Sequence, residues 1–121
     1  MFINILLVAG GAVLGVLARL LLSNWMKRRW PMDFPLATFL INSTGSFLLG
    51  LLVGSGAEQH IQLLIGTGFM GSFTTFSTFK LENIELHLQQ KHATLFSYLS
   101  LSYVCGIVLA GLGLMLGHLY L

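Results

Sequence analysis

One apolar stretch contains most of the residues that could carry chemistry. Residues 66–79 have the sequence GTGFMGSFTTFSTF, in which three glycines accompany a run of hydroxyl side chains and phenylalanines. A helix this polar is poorly matched to lipid. Glycine permits non-helical backbone, and Ser or Thr hydroxyls can satisfy the backbone groups that a break releases. The sequence therefore predicts a helix that is interrupted at residues 71–75.

A break at this position could bind ions of either sign. It frees carbonyl oxygens that can hold a cation, while the following half-helix presents N–H groups and a positive dipole end. Phe76 and Phe79 are three residues apart and share a helix face, and the positive edges of their rings tolerate an anion. Ordinary core packing remains the alternative for these two rings. Because irregular backbone persists at membrane depth only inside protein or beside a cavity, we predict that ions could find ligands here.

A membrane domain must position these residues. Of the 121 residues, 55% are apolar and 8% are charged, whereas about 25% is the usual charged fraction of soluble domains. Since about 20 apolar residues cross a bilayer, we predict an all-α protein with four transmembrane helices in a single domain, residues 1–121. The predicted spans are about 3–24, 35–55, 61–88 and 94–119, so both termini lie on the same side.

Three of these spans carry small or polar residues at four-residue steps, along one helix face. The stripes are Gly11, Gly15 and Arg19; Thr38, Asn42, Ser46, Gly50 and Gly54; Tyr98, Ser102, Gly106 and Ala110. Close helix packing explains the glycines. Thr38, Asn42 and Ser102 indicate a functional role, because such groups cost energy in a span unless they meet partners or water. Arg19 is either an interfacial anchor or part of an anion vestibule.

The polar run resembles a known family signature. Residues 68–79 match G-F-x-G-x-x-T-T-F-S-T-F, the signature of Fluc/CrcB fluoride channels, at all nine named positions. Supporting motifs follow in order through the other spans. They are Gly10-Gly11 and Gly15 through Arg19 in the first span, Asn42-x-x-Gly45 in the second, Glu82 after the signature, and Tyr98-x-x-x-Ser102 in the fourth.

This resemblance implies a fold, a function and a set of site residues. It implies an antiparallel dimer of four-span subunits with two fluoride pores, which exports cytoplasmic fluoride passively through the plasma membrane and lowers its toxicity. A central structural Na⁺ would be held by the backbone carbonyls of Gly71 and Thr74. The implied fluoride pathway comprises Asn42, Phe76, Phe79, Ser77, Thr78, Tyr98, Ser102 and Thr38, and Arg19 and Glu82 would lie near its vestibules.

The chain departs from the family pattern in three respects. Lys80 stands where a small residue is usual, and it either raises the local anion concentration or extends outward to the interface. Gly106 stands where a second serine of the fourth span is common. The basic residues Lys27, Arg28, Arg29 and Lys91 all fall on one membrane face. By the positive-inside rule the chain should insert mainly one way, with its termini outside. We therefore predict pairing with a sister subunit of opposite orientation, and an identical copy is the alternative.

Other functions are less consistent with the sequence. A proton-coupled multidrug exporter needs a carboxylate early in the membrane, whereas the acidic residues are Asp33, Glu58, Glu82 and Glu85. An accessory subunit of a heterodimeric channel would explain the glycines but not the Thr-Thr-Phe-Ser-Thr-Phe run. An enzyme is not expected, because no nucleophile–base pair, metal cluster or phosphate loop is recognisable. A net charge of +2 gives no indication of nucleic-acid binding.

Overall fold

The computed structural model describes residues 1–31 and 34–121 and is helical throughout its ordered elements. Three helices are long and apolar enough to cross a membrane: α1 (Phe2–Arg29), α2 (Leu36–Gly54) and α6 (His92–Tyr120). The remaining crossing is assembled from shorter pieces. These are α3 (Gln59–Ile61), a π-helix (Gln62–Met70), α4 (Gly71–Phe73) and α5 (Ser77–Leu88). The prediction of an all-α membrane fold with an interrupted third crossing is confirmed.

The break lies slightly later than the sequence predicted. Gly71 keeps helical dihedrals, with φ −62° and ψ −33°, and the helix continues through Phe73. It ends at Thr74, which is extended with φ −76° and ψ 156°, and helix resumes at Ser77. The prediction of a break at residues 71–75 was therefore wrong for residues 71–73, which are helical, and right for residues 74 and 75. The break falls after Gly71 because the Asn42 side chain of α2 takes both backbone hydrogen bonds of Thr75.

The first half of the broken crossing packs closely against α1. A Cβ added at Gly11 would meet the carbonyl of Leu64, and one at Gly15 would meet the carbonyl of Phe69. From the other side, Gly68 faces the backbone of Val8. Backbones can approach this closely only where side chains are absent, which strengthens dispersion contacts between helices in lipid. Close packing thus accounts for the two glycines in the stripe of the first span.

The same principle joins α2 to α6. Gly50 and Gly54 of α2 lie against the backbones of Ala110 and Leu114. Two glycines of α6 lie in turn against the backbone of α2. Gly113 contacts the carbonyl of Phe47, and Gly117 contacts the carbonyl of Leu51. The two helices therefore form an interlocked pair that supports one wall of the broken crossing.

Adding one methyl group to this interface tests how tight it is. Gly113→Ala should destabilise the protein in detergent by about 1–3 kcal/mol, the usual cost of overpacking a filled interior, because the new Cβ meets backbone that cannot rotate away. Thermal unfolding followed by tryptophan fluorescence measures the loss. Gly111→Ala, on the same helix with nothing within 4 Å of its added Cβ, is the control. Equal melting temperatures for the two variants would contradict the close contact.

An aromatic cluster attaches the second half of the broken crossing to α6. Phe79 and Leu86 of α5 are buried against Tyr98, which has 0% exposure. Phe34 and Phe39 complete the cluster at the start of α2, where the ring centroids of Phe34 and Tyr98 are 5.3 Å apart. The two halves of the third crossing are therefore held by different neighbours, the first by α1 and the second by α6.

Candidate functional site

The break is held open by a side-chain amide from α2. Asn42 Nδ2 donates to the Thr75 carbonyl at 2.9 Å, and the Thr75 N–H donates to Asn42 Oδ1 at 2.8 Å. One amide thus satisfies both backbone groups of a residue outside regular helix, which would otherwise be costly in a membrane interior. Asn42 keeps a second N–H, because a primary amide has two donors.

Two carbonyl oxygens lose their regular helical donors as a result. In a continuous α-helix the Thr75 N–H would bond to the Gly71 carbonyl and the Thr78 N–H to the Thr74 carbonyl. The first N–H is taken by Asn42, and the second donates to the Thr75 hydroxyl at 3.2 Å. These carbonyls are the two that the family resemblance implied as cation ligands. A hard monovalent cation prefers such neutral oxygen donors, so the residues fit a Na⁺ ion.

A cavity of about 280 Å³ lies directly beside the break. Five of the predicted site residues line it, namely Asn42, Thr74, Phe76, Phe79 and Ser102. Its other lining residues are Gly45, Ser46, Leu49, Thr75 and Tyr103. Among the residues that the structure describes, those that line this cavity include no acidic or basic side chain. The cavity therefore combines apolar walls with a small number of neutral hydrogen-bond donors.

The Ser102 hydroxyl is the clearest free donor in this cavity. Its oxygen is buried and has no hydrogen-bond partner among the residues that the structure describes. A buried hydroxyl without a partner costs about 1–3 kcal/mol, so its position is explained if a ligand or water completes its bonding. Ser102 faces the same space as the Asn42 amide, and together they offer donors from two helices.

The two predicted pathway phenylalanines occupy different environments. Phe76 is 63% exposed on the surface of the single chain, whereas Phe79 is 6% exposed. Their ring centroids are 5.9 Å apart. Phe79 also contacts Tyr98 at 5.0 Å and meets Tyr103 edge-on at 5.9 Å. Phe79 consequently lies between the cavity and Tyr98, and Phe76 lies at the cavity's open side.

A second set of polar side chains lies beyond Phe79, toward the end of the molecule that carries the basic residues. The Tyr98 hydroxyl donates to Glu82 Oε1 at 3.2 Å, and the buried Thr38 lies beside the same carboxyl. Glu82 in turn lines a larger cavity of about 710 Å³, together with Lys27 and Lys91. The predicted residues Thr38, Tyr98 and Glu82 are thus brought together, and the Phe79 ring separates them from the first cavity.

Six predicted site residues lie outside the lining of both cavities: Arg19, Thr38, Gly71, Ser77, Thr78 and Tyr98. Arg19 is half-buried on α1 and lines neither of them. Ser77 is exposed at the start of α5, and the Thr78 hydroxyl accepts a hydrogen bond from Thr75 at 3.3 Å. The sequence analysis did not single out Tyr103, which lines the first cavity. The one sequence feature that could have indicated Tyr103 is its position next to Ser102, because Tyr103 does not belong to the four-residue stripe of the fourth span.

Comparison with known proteins now decides the family. The family model described as CrcB-like protein, Camphor Resistance (CrcB), matches residues 6–114. The chain belongs to the CrcB family. This confirms the resemblance that residues 68–79 indicated, and the structure places that signature around the break of the third crossing.

CrcB relatives match this chain over almost its full length. A protein of Bacillus cereus named fluoride-specific ion channel FluC 2 is 55% identical over 93% of this chain and 95% of its own length. A protein of Listeria innocua named fluoride-specific ion channel FluC 1 is 53% identical over 97% and 99%. A FluC 1 channel of Geobacillus kaustophilus is 51% identical over 93% and 97%. The similarity therefore covers all four crossings of the chain.

Proposed function

We propose that this CrcB protein is a fluoride-selective channel that lets cytoplasmic fluoride leave the cell passively across the plasma membrane. The observation that carries the proposal is the cavity beside the break, where the unpartnered Ser102 hydroxyl and the Asn42 amide face two phenylalanine rings. The names of the relatives support fluoride as the ion. Such a channel lowers fluoride toxicity without a catalytic step.

The chemistry of the cavity suits a small, strongly hydrated anion. A selective path must replace several water hydrogen bonds with protein donors, in a passage too narrow for larger hydrated anions. Hydroxyl and amide donors can replace water around fluoride without binding it so tightly that its exit becomes slow. The ring edges of Phe76 and Phe79 carry the positive part of the aromatic quadrupole and complete the coordination in a dry segment.

A structural Na⁺ ion is part of the proposal. The Gly71 and Thr74 carbonyls would hold it, because their helical donors are diverted to Asn42 and Thr75. When bound, the cation supplies positive charge that offsets the partial negative charge of the carbonyls and favours a nearby anion. The chain's own contribution is the extended Thr74 backbone, which turns these oxygens out of the helix ladder.

A second four-span subunit in opposite orientation would complete two pores. Phe76 is 63% exposed, and an exposed pathway ring in a single chain implies that another subunit covers it. This partner is an identical copy or a sister subunit. The uneven distribution of basic residues between the two ends of the molecule favours the sister subunit. Lys27 and Lys91 line one cavity at one end, and Arg28 and Arg29 directly follow Lys27 in the sequence. In that arrangement this chain contributes its own residues to both pores or acts chiefly in assembly.

Fluoride efflux from liposomes tests the function directly. The purified chain, alone and with its sister subunit, is reconstituted with internal KF, and valinomycin relieves the electrical potential while a fluoride electrode records release. Rapid release by either preparation is expected, with chloride retained in parallel vesicles. Absence of fluoride release from both would contradict the proposed function. Release that requires the sister subunit would assign a heterodimer.

Orientation can be measured independently of flux. Cys105→Ser supplies a cysteine-free background, and a single cysteine replaces Ala57 or Gln90, which lie in connections at opposite ends of the fold. Impermeant maleimide applied to intact cells should label the Ala57 position and spare the Gln90 position, because the basic residues cluster at the latter end and favour the cytoplasm. Equal labelling of both positions would indicate dual insertion and hence an identical partner.

A further inference from the structure

We infer that Lys80 is a fixed positive charge of the anion pathway, which sets how tightly the channel binds its anion through its position over the Phe76 ring. The Lys80 Nζ atom lies 5.7 Å from the centroid of that ring, within the range of a cation–π contact, about 6 Å. Phe76 lines the cavity beside the break. The inference rests on the proposed function, since it assigns a role within the same pathway.

The Lys80 side chain is exposed on the single chain, but its direction favours a place beside the pathway over the role of an interfacial anchor. Lys80 follows Phe76 by four residues, one turn along α5, which runs from the break toward the basic end at Leu88. An anchor would extend toward that nearer membrane surface. Instead the ammonium lies back over Phe76, because helical side chains tilt toward the N-terminus of their helix. The charge is therefore directed to the middle of the membrane.

The Lys80 ammonium lacks a carboxylate partner in residues 1–31 and 34–121, where the ion pair that the structure shows joins His60 and Glu58. A cation within a span is costly unless a charge or water compensates it. A transported anion that reaches the cavity would provide this compensation at each passage. The unpaired charge is thus explained by the ion that moves past it.

The Phe76 ring, which lies between Lys80 and the cavity, transmits part of the attraction between the Lys80 charge and an anion. A cation over the face of an aromatic ring is attracted by the negative face of its quadrupole. It polarises the ring so that the edge becomes more positive, and the edge is the part that an anion approaches. Phe76 with Lys80 is therefore a stronger anion ligand than Phe76 alone. Because the attraction acts on any anion, Lys80 should raise affinity without changing the preference for fluoride over chloride.

The test measures fluoride release from liposomes over a range of internal fluoride concentrations at constant ionic strength. Lys80→Gln should raise the half-saturating fluoride concentration by about tenfold, which corresponds to the loss of about 1.4 kcal/mol of attraction. Its maximal flux and its exclusion of chloride should remain within twofold of wild type. Lys80→Arg, which keeps the charge, should restore the wild-type concentration dependence. Lys80→Met provides a second neutral variant if the glutamine form does not purify as a monodisperse protein.

Arg28→Gln is the matched control, because it removes the same charge from the outer end of α1, beside Trp25 and Arg29. It should leave the half-saturating concentration unchanged. A Lys80→Gln or Lys80→Met channel with wild-type concentration dependence would overturn the inference. Equal shifts in the Lys80 and Arg28 variants would also overturn it, since they would indicate only a general surface potential. Absence of flux from wild type itself would instead refute the proposed function.

Discussion

Replacing either Phe76 or Phe79 by isoleucine should reduce fluoride flux by roughly 100-fold or more. Isoleucine keeps a large apolar side chain but has no aromatic edge, so the anion loses the positive rim that substitutes for water. A loss of about 2.7 kcal/mol at the barrier corresponds to that 100-fold change. Fluoride-electrode recordings from liposomes with equal protein content measure the effect, and retained flux in both variants would favour a role in assembly alone.

The two substitutions differ in their structural risk, and this difference supplies an internal check. Phe76 is exposed in the single chain, whereas Phe79 packs between Tyr98 and Tyr103. Phe79→Ile should therefore also lower the melting temperature, while Phe76→Ile should not unless it weakens subunit contact. Phe96→Ile is the control, because Phe96 is 65% exposed on α6 and lies outside the cavity. Loss of flux in that control would indicate a non-specific effect.

Asn42→Ala should damage stability and flux together. It leaves the Thr75 N–H and carbonyl without their partner, at about 1–3 kcal/mol for each group that remains unpaired. It also removes an amide donor from the cavity, so flux should fall at least tenfold among the molecules that still fold. Thermal unfolding in detergent and fluoride efflux from liposomes measure the two losses separately.

Gln62→Ala is the matched control for Asn42→Ala. The Gln62 amide also donates to a backbone carbonyl, that of Ala57 at 2.9 Å, but at the start of the third crossing and away from the break. Its loss should leave flux unchanged. Asn42→Asp separates the two roles further, because a carboxylate can accept from the Thr75 N–H but cannot donate, and its charge repels fluoride. A conducting Asn42→Asp channel would contradict the proposed role of this amide as an anion donor.

The sequence predicted the class of fold and the region of the site because both depend on local composition. The apolar spans and the glycine and hydroxyl run of residues 66–79 are visible without knowledge of tertiary contacts. The signature also pointed to Gly71 and Thr74, whose carbonyls do lose their helical donors. Their binding of Na⁺ and the roles of the fluoride-pathway residues stay predictions, as does the antiparallel dimer.

The exact place of the break could not be predicted, because a residue from another helix determines it. Glycine propensity suggested Gly71, but the amide of Asn42 reaches Thr75 from 33 positions away in the chain. The π-helix at Gln62–Met70 was missed for the same reason, since its wide turns accompany close contact with α1. Tyr103 and the direction of Lys80 likewise follow from how α5 and α6 face the cavity.

The separate attachment of the two halves of the third crossing has an evolutionary consequence. Residues before Thr74 are fixed to α1 through glycine contacts, and residues after Phe76 are fixed to α6 through aromatic rings. Substitutions that accumulate in one interface shift one half with little disturbance of the other. The residues around the Gly71 and Thr74 carbonyls can thus diverge at a different rate from Phe76 and Phe79 after a gene duplication. The Asn42 amide, which bonds to Thr75 between the two groups, must be retained.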